Sequence, residues 1–328
     1  MRKNIKRIAV LTSGGDAPGM NAALEGLVTE CQQNKIQVIG FYDGYQGLLE
    51  NRKLILNPKE ICRIANIGGS ILGSMRSKDF ETKKGRTLAK KVLEQNKIDV
   101  LVVIGGDGTM RGANDLSKLG VRVVGIPATI DNDLFGTDDT LGYKTAANVI
   151  VESLENLRNT ADSCKATYLV YTMGRRSGFL ALRGAISGRA DSVLVPEKKI
   201  SEQDLIAKVN KTFKSGARSH LIVISEAYFD KNEKKLQALL KLLDKKTLSS
   251  KVRLQDIGYL QRGSNPIEHD IYLGLTLGTG ILKPLLDGKS NFMLGVSQNS
   301  FCFTPLADTD SKMVNPYDLI LARRLNLL

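Results

Sequence analysis

Histidine and cysteine are scarce in this 328-residue chain, and their scarcity excludes several chemistries. The two histidines, His220 and His269, sit in no motif, so a histidine metal cluster is ruled out and a histidine-dependent triad finds no support. The four cysteines, Cys31, Cys62, Cys164 and Cys302, are scattered without a CxxC pair. That argues against a zinc site or a disulfide framework and for a reducing, cytoplasmic setting. No apolar run exceeds strand length, so no membrane span is expected. After a basic start (Arg2, Lys3, Lys6, Arg7), Ile8-Ala9-Val10-Leu11 is too short for a signal peptide. Low-complexity tracts, Pro/Ser-rich linkers and tandem repeats are missing as well.

The hydrophobic share is 42%, ordinary for a chain with a full core, and the length allows two domains. The net charge of +13 raises the question of nucleic acid. Pairs such as Lys83-Lys84, Lys90-Lys91 and Lys245-Lys246 are spread along expected helices without aromatic interleaving. They read as a solvated basic surface, and no nucleic-acid partner is expected.

Strand and helix signals alternate along the whole chain. Strands are expected at 7–11, 36–41, 100–104, 122–126, 167–171, 192–195, 220–225 and near 254–260. Helices are expected at 20–33, 81–95, 111–119, 140–159, 179–186, 202–213 and 233–243. A further helix opens at Gly263-Ser264-Asn265-Pro266 and runs towards Leu286, and a last one starts at Asn315-Pro316 after two short strands. This alternation implies βαβ units and parallel sheets. In open sheets of that kind, ligands bind where strands end.

Three strand ends carry chemistry-bearing loops. Thr12-Ser13-Gly14-Gly15-Asp16-Ala17-Pro18-Gly19-Met20-Asn21 joins a strand to a helix, suiting phosphate at a helix N-terminus or a plain Gly-rich turn. Gly105-Gly106-Asp107-Gly108-Thr109 combines backbone donors with one carboxylate, a pattern suited to nucleotide phosphates and Mg²⁺. It is neither a Walker loop nor a dinucleotide fingerprint. Thr129-Ile130-Asp131-Asn132-Asp133 offers a carboxylate to deprotonate an acceptor hydroxyl, with a capping Asx loop as the competing reading. Met173-Gly174-Arg175, Glu226, Arg253 and Gln261-Arg262-Gly263 add charged groups at further strand ends.

These motifs, together with Gly-Ser-Ile-Leu-Gly-Ser-Met-Arg at 69–76, resemble the ATP-dependent 6-phosphofructokinases of bacteria from end to end. The resemblance implies two Rossmann-like three-layer α/β/α domains with mainly parallel sheets. Their expected extents are 1–142 plus about 261–312 for ATP, and about 143–260 plus 313–328 for the sugar phosphate and effector side. It implies ATP contacts at Gly15, Arg76, Ser77, Gly106, Gly108 and Thr109, Tyr45 near the nucleoside, and Mg²⁺ at Asp107. Asp131 would be the base for the sugar 1-hydroxyl, Thr129 would touch the transferring group, and Asp133 would support the metal shell. Arg76 and Arg175 would stabilise developing charge. Ile130, Met173, Gly174, Glu226, Tyr259 and Arg262 would line the site for fructose 6-phosphate, with Arg253 reaching it from a neighbouring subunit of a homotetramer. Pyrophosphate-using relatives place Asp at the position of Gly108 and Lys at that of Ala128; this chain has neither, which favours ATP.

The departures are specific. Ala166 stands where the family lends an Arg to the sugar 6-phosphate, and Tyr259 where it has His. Losing one charge-assisted contact weakens binding roughly 10- to 100-fold. Glu25 and Thr29 stand where the family has two effector-site arginines, and two of the family's basic residues near the Ser215-Gly216-Ala217 turn are missing, while Arg158 and Asp191 remain. Weak or absent effector control is therefore expected. Three rivals stand beside this reading: a kinase for another ketose phosphate, a kinase-like regulatory subunit without turnover, and an NAD or lipid kinase sharing the Gly-Gly-Asp-Gly-Thr loop.

Overall fold

The computed structural model describes residues 5–328; Arg2 and Lys3 of the basic start lie outside them. Contacts divide the chain into two compact units, Met1–Thr145 with Arg262–Lys312, and Ala146–Gln261 with Met313–Leu328. The strands among the described residues are, in chain order, β1 Arg7–Ser13, β2 Gln37–Phe41, β3 Lys53–Ile55, β4 Val100–Gly105, β5 Val123–Pro127, β6 Thr167–Thr172, β7 Ser192–Leu194, β8 His220–Ser225, β9 Val252–Asp256, β10 Phe292–Ser297 and β11 Ser300–Pro305.

The first unit holds a seven-stranded sheet ordered β11-β10-β5-β4-β1-β2-β3. Its five inner strands run parallel, and only the edge strands β3 and β11 are antiparallel to their neighbours. All residues of β4 and β5 are buried, as is β1 after Arg7, which explains why these strands read as unbroken apolar runs. The chain builds outward from β1 to β2 and β3, then returns to β4 on the other side. The turning point of the topology thus lies between β1 and β4, and the register aligns Ser13 with Gly105 and Gly105 with Pro127. The three motif-bearing loops leave the sheet side by side at its carboxyl edge, where such a crevice takes ligands.

The second unit is a four-stranded, all-parallel sheet ordered β7-β8-β6-β9. Thr172 pairs with Ser225, so the segments opening at Met173 and Glu226 emerge together. Among the described residues no helix is long and apolar enough to cross a membrane.

Several boundaries differ from the sequence expectations, each for a local reason. The helix after the Gly-Gly-Asp-Gly loop begins at Asp107 rather than Arg111, because Gly106 is its N-cap. The expected strand 254–260 ends at Asp256. Gly258 takes a left-handed φ of 48°, and Leu260–Gly263 forms one helical turn. The helix expected to run to Leu286 is two helices, Glu268–Gly280 and Leu282–Leu286, since Pro284 has no N–H to continue the ladder. The long helix runs Tyr143–Cys164. The first unit extends past Gly142 to Thr145 because both residues are tied to one buried carboxylate. Asp270 accepts from the Gly142 N–H (3.0 Å), the Thr145 N–H (2.8 Å) and the Thr145 hydroxyl (2.6 Å). Ser201 caps the helix Glu202–Lys214 by accepting from the Asp204 N–H.

Candidate active site

In the first unit the turn after β1 is strapped to the glycine-rich segment around Ser70. Thr12 Oγ1 donates to the Gly73 carbonyl (2.6 Å) and Ser74 Oγ to that of Gly14 (3.0 Å). Asn21 accepts from the Ile71 N–H (2.9 Å) and donates to the Ile67 carbonyl (3.0 Å). Arg76 leaves this braced segment with its side chain exposed. Ser77 is buried, and its hydroxyl is engaged by Gln46 Oε1 and the Phe80 N–H, so it serves a local turn. Tyr45, expected near the nucleoside, is likewise a packing residue. Its ring stacks on Phe80 at 3.8 Å, and its hydroxyl donates to the Thr109 carbonyl (2.8 Å). Burial pushes its phenol well above the usual range.

The second loop is locked to the first. Thr109 Oγ1 donates to the Ser13 carbonyl at 2.9 Å. Asp107, the first residue of its helix, stands where backbone donors and the helix dipole favour an anion, and its carboxylate pairs with Arg111 at 3.0 Å. A Cβ on Gly108 would meet nothing within 4 Å, so the backbone here is open to a ligand. Gly15 has the opposite surroundings: a Cβ there would lie 3.1 Å from Arg262 Nη2. The Arg262 guanidinium is held by the Asp16 carboxylate and lies over this turn. Mg²⁺ bound with a nucleotide needs only one or two carboxylates beside phosphate oxygens. No cluster of three or more His, Cys, Asp and Glu side chains suited to a metal occurs among the described residues. Asp107 at an open glycine loop fits a metal that arrives with its nucleotide.

The third loop lies against the second: a Cβ on Gly106 would come within 3.4 Å of Thr129 Cβ. Thr129 Oγ1 accepts from the Asp131 N–H (3.2 Å). Asn132 takes a left-handed φ of 51°, a conformation Asn tolerates, and organises the loop. Its Oδ1 accepts from the Thr140 N–H (3.0 Å), and its Nδ2 donates to the Asp138 carbonyl (3.2 Å). Asp133 is buried, Ile130 is buried behind the loop, and Asp131 is half-buried.

In the second unit the structure brings Met173, Gly174, Arg175 and Glu226 together. Met173 N–H donates to Gln261 Oε1 (3.3 Å), and Arg175 N–H to Glu226 Oε1 (2.6 Å). Gly174 has φ 137°, and Arg175 itself is left-handed at 55°. The other Glu226 oxygen pairs with Lys231 at 2.9 Å, a partner that sequence reasoning missed because Lys231 lies in a short 3₁₀ exit with no motif. Arg253 is not part of this group. It pairs in register with Tyr168 near the start of β6, and Ala166 sits at that same end. Tyr259 is 74% exposed on the turn after β9.

Glu25 and Arg158, at expected effector positions, are held by internal contacts. The Glu25 carboxylate accepts from the Arg63 N–H (3.1 Å) and the Ala65 N–H (2.9 Å). In the second unit Arg158 pairs with Asp191 at 3.3 Å.

The chain is similar to known proteins over most of its length. The family model described as Phosphofructokinase matches residues 7–285. ATP-dependent 6-phosphofructokinase of Buchnera aphidicola is 37% identical over 324 residues, covering 98% of this chain and 99% of that protein. The enzyme of the same name from Photobacterium profundum is 38% identical over 312 residues, covering 95% and 96%. Among solved structures, Pichia pastoris phosphofructokinase in the T-state superposes with a TM-score of 0.85 at 29% identity, covering 94% of this chain and 35% of the yeast chain. A pyrophosphate-dependent phosphofructokinase from Marinobacter aquaeolei shares the fold at 20% identity and TM-score 0.85. With the nucleotide-type loops, the paired aspartates and a match over most of its length, the chain belongs to the phosphofructokinase family.

Proposed function

We propose that this chain transfers the γ-phosphoryl group of ATP, with Mg²⁺, to the 1-hydroxyl of fructose 6-phosphate, giving the 1,6-bisphosphate in glycolysis. One observation carries the reading: Thr129 and its Asp131–Asp133 loop abut the Gly106–Thr109 loop at the carboxyl edge of one parallel sheet. Phosphoryl transfer needs a base for the attacking alcohol beside a cradle for nucleotide phosphates. Asp131 takes the proton of the sugar hydroxyl. Gly15, Gly106, Gly108 and Thr109 hold the phosphates, Asp107 holds the metal, and Asp133 supports the metal's shell. When bound, Mg²⁺ neutralises charge on the phosphate oxygens. Arg76 and Arg175 stabilise the charge that develops in transfer. Met173, Gly174, Glu226, Tyr259 and Arg262 bind the sugar phosphate, and Arg253 acts in a neighbouring subunit of a homotetramer. Four free thiols suit a cytoplasmic setting.

The test is steady-state kinetics with ATP and pyrophosphate as donors and several ketose phosphates as acceptors. Expected is a kcat/KM at least 100-fold higher with ATP than with pyrophosphate, and highest with fructose 6-phosphate. Ala166 and Tyr259 motivate a second reading, a different ketose phosphate, which a higher kcat/KM for another acceptor would establish. Absence of turnover with every pair would instead favour a binding or regulatory subunit.

The same assay tests control. An anionic effector approaching Glu25 meets a carboxylate already seated on two backbone donors, and like charge repels it. Nucleoside diphosphate and phosphoenolpyruvate are expected to shift half-saturation by the sugar phosphate less than two-fold. A shift of several-fold by either contradicts this.

A further inference from the structure

The loop that carries Asp131 and Asp133 is acidic and irregular, and Asp138 and Asp139 add to its charge. What holds it comes from far along the chain. The segment ending at Lys312 runs antiparallel to it: Leu134 bridges Ser311, the Phe135 N–H donates to the Asp310 carbonyl (3.0 Å), and the Lys312 N–H to that of Asp133 (2.9 Å). The Lys312 ammonium then reaches both ends of the loop. It donates to Asn132 Oδ1 (3.3 Å), the Thr137 carbonyl (2.9 Å) and the Asp138 carbonyl (2.7 Å). An ammonium has three donors on one point, which suits three acceptors converging from a single loop; the planar fork of Arg does not.

We infer that Lys312 is a positioning residue for the reaction, pinning Asn132 and the 137–138 segment so that the Asp131 carboxylate faces its substrate in one fixed geometry. The inference rests on the reading of Asp131 as the base. Its logic is local: every side-chain contact just named falls on the peptide flanking the reacting carboxylate. A misplacement of about 1 Å at a reacting group costs about 100-fold in rate.

The test is Lys312→Met in the full chain, followed by kcat, both KM values, the melting temperature and amide deuterium exchange. Expected is a fall in kcat of about 100-fold, with KM for ATP and sugar phosphate within about three-fold. Faster exchange should be confined to residues 129–140, with melting retained. Methylammonium should restore part of the turnover of Lys312→Ala by supplying the missing cation. A folded Met variant with kcat within two-fold of the unaltered chain overturns the inference, as does loss of exchange protection throughout the first unit. Should the Met variant fail to fold, Lys312→Ala, which also removes every donor, takes its place, and a folded Ala variant with full kcat overturns it equally. If the unaltered chain shows no kinase turnover, the functional reading fails, while exchange in 129–140 still tests the pin.

Discussion

Asp131→Asn is expected to lower turnover about 1,000-fold while leaving ATP affinity within about two-fold. A positioned general base contributes roughly 10²- to 10⁴-fold, and Asn keeps the shape of the side chain but cannot take a proton. The loop's backbone and Asn132 contacts do not use the lost charge. The Asp131 N–H still donates to Thr129 Oγ1, and Asn132 still organises Thr140 and Asp138. The nucleotide side of the unit, from Gly14 to Thr109, is tied together by its own bonds and should be unaffected. Single-turnover rates and a nucleotide titration on the same preparation separate chemistry from binding. Near-normal turnover would remove Asp131 as the base, and a parallel loss of ATP affinity would mean that the carboxylate organises the nucleotide loop instead.

Gly105→Ala should place a damaging methyl at the junction of the two glycine-bearing loops. A Cβ at Gly105 would lie 2.4 Å from the Ser13 carbonyl and 2.4 Å from Thr109 Oγ1, atoms that are themselves hydrogen-bonded to each other. Neither can retreat, because one belongs to β1 and the other to the first turn of the helix Asp107–Lys118. Overpacking of about 1–3 kcal/mol plus a lost hydrogen bond of about 1 kcal/mol predicts destabilisation of about 2–4 kcal/mol. Nucleotide affinity should fall at least ten-fold. Gly108→Ala is the contrast. Its added methyl meets nothing within 4 Å in a helical position, so stability should hold or rise by up to about 1 kcal/mol. Any loss there would appear in ATP affinity alone. Thermal melts of both variants decide the matter. A Gly105 variant that melts with the unaltered chain would show that the β1–β4 junction is more compliant than its contacts imply.

The inner strands were legible because burial on both faces leaves a plain signature: β4 and β5 are apolar throughout and stop at glycine or proline. A helix cap such as Ser201 is local in a different way, resting on one side chain and one backbone N–H three residues on. The motif residues themselves, from Gly15 to Arg175, stood out because glycine and aspartate at a strand end have little purpose in a core. What stayed hidden depends on partners distant in sequence. Tyr45 looks like an accessible aromatic until Phe80 covers its ring. Asp16 gives no sign that it will hold Arg262. Asp270 reads as an ordinary helix-start residue, yet it is buried beneath Gly142 and Thr145. Lys312 is one lysine among many. The break at Gly258 was hidden differently, since Leu254, Ile257, Tyr259 and Leu260 continue a series of large side chains while the backbone turns at Gly258.

The first unit is discontinuous, and this has a consequence for how the protein is made. β5 pairs with its neighbour β10 through Phe292 and Met293, and the larger segment of the second unit, Ala146–Gln261, lies between them in the chain. A ribosome releases β5 long before β10 exists, so an apolar strand that ends fully buried waits with one edge bare. Such edges invite pairing with other chains, and long-range pairing of this kind is slow. Lys312 emerges later still. A nascent chain therefore acquires its nucleotide loops early and the pin of its carboxylate loop nearly last, so unfinished chains should bind nucleotide before they are able to spend it.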